Sequence, residues 1–254
     1  MILADVHAHL DFPEMEKDLD VIIENAKKAG VRLIIANGVS PGSNRNVLKI
    51  AKRYDIVKAA LGIYPPDALS KETNSEIKVD IEKELRFYEE NIKDIIAIGE
   101  IGLDYQNGKN KELQKDVFIK QLEFAKKHDL PAIIHSRKAE SDVIEILERL
   151  GYKKIILHCF CGKKNLIEKA KELGFYFSIP TNVVRSENIQ NIVKTVNISK
   201  LLTETDSPFL SPFKEKMNEP AFVIESVKKI AEIKGFTAED TANSIWLNCQ
   251  RLFL

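Results

Sequence analysis

The chain has 254 residues, 44% of them hydrophobic, with 38 basic and 38 acidic side chains and a formal net charge of zero. That length can bury a full core in one domain spanning 1–254, and the charge balance leaves no global field for a polyanion, so any nucleic acid must be gripped locally. No stretch approaches the roughly 18 to 20 apolar residues of a membrane span, the opening MILADVHAHLDFPEME carries no basic leader, and Cys159, Cys161 and Cys249 match no disulfide framework. These features predict a soluble, cytoplasmic protein in a reducing compartment with no membrane partner.

Taken in chain order, short apolar runs predict strands at 2–8, 32–37, 56–62, 94–100, 131–135, 154–158, 175–179 and 200–205. Amphipathic patterns between them predict helices at 16–29, 42–53, 77–91, 110–127, 139–149, 163–173 and 186–196, and two more at 220–234 and 238–250. Several helical patterns stop at a glycine, namely Gly30, Gly151, Gly174 and Gly235, as helix C-termini commonly do. The polar stretch KETNSEIKVDIEKE from Lys71 reads as a solvated loop and helix start. Continuous apolar strands fit a parallel sheet buried on both faces. Eight βα units in a chain of this length predict a (β/α)8 TIM-type barrel with an extra C-terminal helix. An open doubly wound sheet would usually carry a glycine-rich phosphate loop after its first strand, and none is visible.

In such a barrel the chemistry collects at the C-terminal ends of the strands. Strand one ends in His7 and His9, strand four in Glu100, strand five in His135, strand six in His158 and strand eight in Asp206, which uses four of the five histidines. Period-two spacing puts Asp5, His7 and His9 on one strand face, so two imidazoles can reach one ion. Six such groups at one mouth would be costly to bury without a cation. Imidazole with carboxylate is metal-ligand chemistry, open to zinc, manganese, magnesium, nickel or iron. His128 is read as a helix C-terminal residue, and Cys159 and Cys161 as packing residues.

These residues lie in motifs that resemble the TatD family of metal-dependent deoxyribonucleases: DVHAHLD at 5–11, IGEIGLDY at 98–105, IIHSRKA at 133–139, LHCFCG at 157–162, ETDSPFL at 204–210 and NEP at 218–220. The resemblance runs nearly end to end and implies two divalent metal ions. His7, His9, Glu100 and Asp206 would gather around one, Glu100, His135 and His158 around the second, with Glu100 bridging. One departure stands out. Members of the family typically read G-x-H-P-H after the third strand, in a segment that faces the substrate and handles the scissile phosphate. This chain reads Gly62, Ile63, Tyr64, Pro65, Pro66, so Tyr64 brings a hydroxyl but no group that titrates near neutrality.

The expected activity is hydrolysis of a phosphodiester in DNA by a water whose proton Asp206 accepts and helps return to the leaving oxygen. Arg137 and Lys163, just beyond strands five and six, are candidate phosphate contacts beside Tyr64. Asp104 is a candidate for orienting a ligand, or for capping its own loop. The missing histidines keep open a smaller substrate, such as an ester, an amide or a small phosphoester. Retention of all six donors argues against a non-catalytic scaffold.

Overall fold

A computed structural model describes residues 1–65 and 79–254. Pro66, the polar stretch from Lys71 to Lys78 and the start of the helix expected at 77 lie outside the described residues. The strands are β1 (Leu3–Ala8), β2 (Val31–Asn37), β3 (Val57–Leu61), β4 (Ile95–Asp104), β5 (Ala132–Arg137), β6 (Ile155–His158), β7 (Tyr176–Pro180) and β8 (Leu201–Glu204). They form an eight-stranded sheet in sequential order in which every neighbouring pair is parallel. The helices are α1 (Pro13–Glu16), α2 (Leu19–Ala29), α3 (Pro41–Arg53), α4 (Ile81–Glu90), α5 (Lys111–Lys127), α6 (Glu140–Leu150), α7 (Lys164–Glu172), α8 (Glu187–Thr195), α9 (Val223–Lys234) and α10 (Ala238–Phe253).

Local chemistry places the element ends. Ser40, Asp80, Asn110, Ser186 and Thr237 each accept a backbone N–H from the first turn of the following helix. Gly30, Gly151 and Gly235 close α2, α6 and α9 in the left-handed conformation. Several boundaries shift by one to three residues from the sequence expectation, and two differences alter the elements themselves. The helix expected at 16–29 begins at Leu19, with Asp18 as its N-cap, and the separate short helix α1 precedes it. Strand β4 runs on to Asp104, so Glu100 sits inside the strand, where the register with β5 shifts between Ile98 and Ile101.

Strands β8 and β1 complete a nearly closed barrel through fewer backbone bonds than the other neighbours make. One parallel bridge pairs Ala8 with Ser207, His9 N donates to Ser207 O at 2.8 Å, and Asp206 N donates to His7 O at 2.9 Å. Side chains supply the rest. Thr203 donates to Ala4 O at 2.7 Å. Buried Asp5 accepts from Thr205 N at 2.9 Å, from the Thr205 hydroxyl and from His7 N at 3.2 Å. Helix α10 packs across both strands, and Asn248 donates to Leu201 O at 2.8 Å. Among the described residues no helix is long and apolar enough to cross a membrane.

The Asp5–Thr205 contact should therefore carry a measurable share of stability. Thr205→Val keeps the side-chain shape but leaves a buried carboxyl short of a donor, at a cost of about 1–3 kcal/mol. A urea titration should show the midpoint falling with the slope unchanged, and an unchanged midpoint would show that the seam does not depend on this bond.

Candidate metal centre

The seam that joins β8 to β1 also assembles the first donors. His7 is the second-last residue of β1 and His9 follows the strand, and the two backbone bonds across the seam hold Asp206 beside both. Asp206 has φ 57°, in the left-handed region that short polar side chains tolerate. Across the barrel, Glu100 enters the same space from β4. That placement needs Gly62, because a Cβ there would lie 2.4 Å from the Glu100 carbonyl oxygen.

His7 Nε2, His9 Nε2, Glu100 Oε2 and Asp206 Oδ1 converge. His7 and His9 are 3.3 Å apart, His7 lies 3.5 Å from Glu100 and 3.6 Å from Asp206, and His9 lies 3.6 Å from Glu100 and 3.3 Å from Asp206. Donors about 2.0–2.1 Å from one tetrahedral ion stand roughly 3.3–3.4 Å from one another. The five edges match that spacing, and the donor set of two imidazoles and two carboxylates suits a divalent ion. The other oxygen, Glu100 Oε1, faces His135 Nδ1 at 2.8 Å and His158 Nε2 at 3.9 Å. Two of the possible metal-holding groups are His7 with His9 and Glu100, and Glu100 with His135 and His158. A third joins His7, His158 and Asp206.

Each outer imidazole is aimed by a carboxylate behind it. His158 Nδ1 lies 2.9 Å from Glu204 Oε2, and Glu204 also accepts from Ser178 Oγ and from Cys159 N at 3.0 Å. His135 Nε2 lies 3.0 Å from the Tyr64 hydroxyl, which donates at 3.0 Å to Asp104 Oδ2. Asp104 accepts from Gln106 N and Asn107 N as well, so it caps its own loop and also holds the Tyr64 hydroxyl beside His135. Tyr64 and Arg137 line a cavity of about 370 Å³ together with His9, Glu100, His135, His158 and Asp206. Lys163 is exposed at the N-cap of α7 and is not among the cavity residues. His128 caps α5 on Phe124, away from the cluster. Cys159 and Cys161 are free thiols, and the Cys161 thiol bonds only locally, to Cys159 O at 3.4 Å.

Glu204 carries no signal as a member of LLTE other than being a carboxylate two residues before Asp206 in a strand that is otherwise apolar or neutral. Its parity with Asp206 is the clue. Asn218, in the NEP motif, is fully buried and fastens the loop after β8 through donated bonds to Thr205 O and Phe209 O at 2.8 and 2.6 Å.

The cluster is strongly polarised. Burial alone would raise the carboxyl of Glu100, but the His7 charge and hydrogen bonds from His135 and His7 outweigh it and hold Glu100 well below the usual range. Burial likewise opposes Asp206, and the hydrogen bond from His9 and the charges of His158 and His7 pull it down. Burial lowers His158, yet the charge and hydrogen bond of Glu204 win and push it up to about 10. The folded protein without metal therefore holds a proton on His158 through neutral pH. A metal taken up there must displace that proton, so affinity should climb from pH 6 to pH 9, with proton release visible by calorimetry in buffers of different ionisation enthalpy. Affinity that is flat over this range would contradict the placement of His158 as a donor. Glu204→Gln should leave the far-ultraviolet spectrum unchanged and weaken metal affinity about 10- to 100-fold in a chelator competition. Unaltered affinity would make Glu204 a packing residue.

The family model described as TatD related DNase matches residues 4–254. The chain is 35% identical to the protein named deoxyribonuclease TATDN3 of Homo sapiens, over 99% of this chain and 94% of that one. It is 36% identical to the uncharacterized metal-dependent hydrolase YabD of Bacillus subtilis, over 99% of each. The crystal structure of YJJV, a TatD homolog from Escherichia coli, superposes with a TM-score of 0.87 at 27% identity, covering 99% of this chain and 97% of that one. The chain belongs to the TatD related DNase family and is a metal-dependent hydrolase of that type.

Proposed function

We propose that the protein is a two-metal phosphodiesterase acting on DNA, with residues 1–254 serving as one hydrolase domain. One observation carries the reading: the two oxygens of Glu100 face different donor sets, Oε2 toward His7 and His9 and Oε1 toward His135 and His158. A single carboxylate so placed suits a pair of ions that share it. Asp206 belongs with the first set, and the hydrolase names of the relatives support ester chemistry. Imidazole and carboxylate admit zinc, manganese, magnesium, nickel or iron at either position.

A pair of divalent ions would lower the pKa of an attacking water and neutralise charge on the phosphate. The chain's own residues do the rest. Asp206, held 3.3 Å from His9 Nε2 at the cavity wall, accepts the proton of the water and returns it to the leaving oxygen. Arg137, exposed on the cavity wall, supplies a fork for a phosphate oxygen. Tyr64, held between Asp104 and His135, takes the substrate-facing place without a titrating imidazole, so its contribution is to orient His135 and the phosphate. Lys163 stands outside this cavity and has no part in the proposal. DNA is the substrate favoured over a small ester or amide because a relative matched over nearly its full length is named a deoxyribonuclease. Three free cysteines suit a reducing, cytoplasmic setting.

The test is turnover of metal-loaded protein on single-stranded DNA, on a generic phosphodiester and on a carboxylic ester. DNA should be cleaved fastest, Asp206→Asn should keep the fold and lose about 10²- to 10⁴-fold in kcat, and His135→Ala should abolish nuclease activity. Wild-type turnover surviving in Asp206→Asn would remove Asp206 as the base, and turnover of the ester alone would overturn the DNA assignment.

A further inference from the structure

The wall of the cavity on the His9 side is aromatic. The Phe12 ring stacks on His9 with centroids 4.7 Å apart and planes inclined by 21°, and Phe209 stands edge-on to both rings, 5.9 Å from Phe12 and 6.3 Å from His9. Phe12, Phe209 and Leu210 line the same cavity as the metal donors. Phe209 is 51% exposed. A large apolar side chain so open to water gains little from folding, yet its backbone is fastened. The buried amide of Asn218 donates to Phe209 O at 2.6 Å, and Thr181 Oγ1 donates to Leu210 O at 2.8 Å. Phe209 N in turn donates to Asp206 O at 2.9 Å, so the ring is displayed at a fixed place three residues from a proposed ligand.

We propose that Phe209, backed by Phe12, is a stacking platform for the nucleobase next to the scissile phosphate. The inference rests on the phosphodiesterase reading of the same cavity and names its ligand as an unpaired base of a single strand. A phosphate held among the donors, with Arg137 on the same cavity wall, brings its attached nucleoside against the aromatic side. The flat faces of all four bases suit such a ring, and this contact carries no hydrogen-bond readout, so recognition is tolerant of sequence. A base paired in a duplex has its faces covered by neighbours, which restricts the platform to single strands or frayed ends.

The experiment measures binding and does not depend on cleavage. Metal-loaded wild-type protein, Phe209→Ala and Phe209→Tyr are titrated into a phosphorothioate single strand carrying one 2-aminopurine, and into a strand of equal length built from abasic tetrahydrofuran units. Wild-type protein should quench the 2-aminopurine. Phe209→Ala should lose the quench and bind the base-bearing strand roughly 5- to 150-fold more weakly, the weight of one base–aromatic stack. Phe209→Tyr should bind as wild type, and the abasic strand should bind all three proteins alike. Equal affinity of Phe209→Ala and wild type for the base-bearing strand, or equal losses on both strands, would overturn the platform. The two readings fail separately: an inert protein with a Phe209-dependent quench would sink the nuclease assignment alone, and an active nuclease without one would sink the platform alone.

Discussion

The structure depends on Glu100 being held, charged and almost fully buried, between two sets of imidazoles. An isolated carboxylate at that depth would cost several kcal/mol and would protonate instead. Here the surrounding histidines reverse the balance and keep it ionised. That reversal also sets the demand for a cation. Protonation of His9, His135 and His158, each favoured by the carboxylates that face it, offsets the buried negative charge, and a bound cation would do the same with the imidazoles neutral. The barrel supplies the rigidity that makes the exchange possible, since every donor is fixed by a strand end, a backbone bond across the seam or a carboxylate behind the ring.

The same seam serves fold and site together. Strands β8 and β1 meet through the backbone of His7, His9, Asp206 and Ser207 and through the Asp5 carboxylate, so the bonds that close the barrel also hold His7, His9 and Asp206 together. The loop that follows is tied back by Asn218, which lets Asp206 and Phe209 occupy neighbouring places with different tasks, one polar and one aromatic. Stability and chemistry thus draw on the same few bonds near residues 203–218.

Much of this was legible in the sequence because parallel strands buried on both faces leave uninterrupted apolar runs, and a polar residue at the end of such a run stands out. His7, His9, Glu100, His135, His158 and Asp206 were found that way, and the structure brings all six together. Glu204 was not, because its parity with Asp206 is the one mark it carries within the strand-eight run; its partner His158 comes from a different strand, and only the barrel puts them side by side. Asn218 escaped for the same reason, since its acceptors at Thr205 and Phe209 depend on how a loop folds back. Asp5 shares the parity of the histidines, yet its carboxylate faces Thr205, because two backbone N–H groups and a hydroxyl outbid a place in the cluster. Lys163 shows the opposite failure: proximity to a strand end in sequence did not bring it to the cavity.

Sharing of Glu100 between two ions is the central claim, and anomalous diffraction from crystals soaked in manganese tests it most directly. The account predicts two peaks about 3.5–4 Å apart, one beside His7, His9 and Asp206 and one beside His135 and His158, with Glu100 touching both. A single peak, or two peaks of which only one touches Glu100, would contradict it.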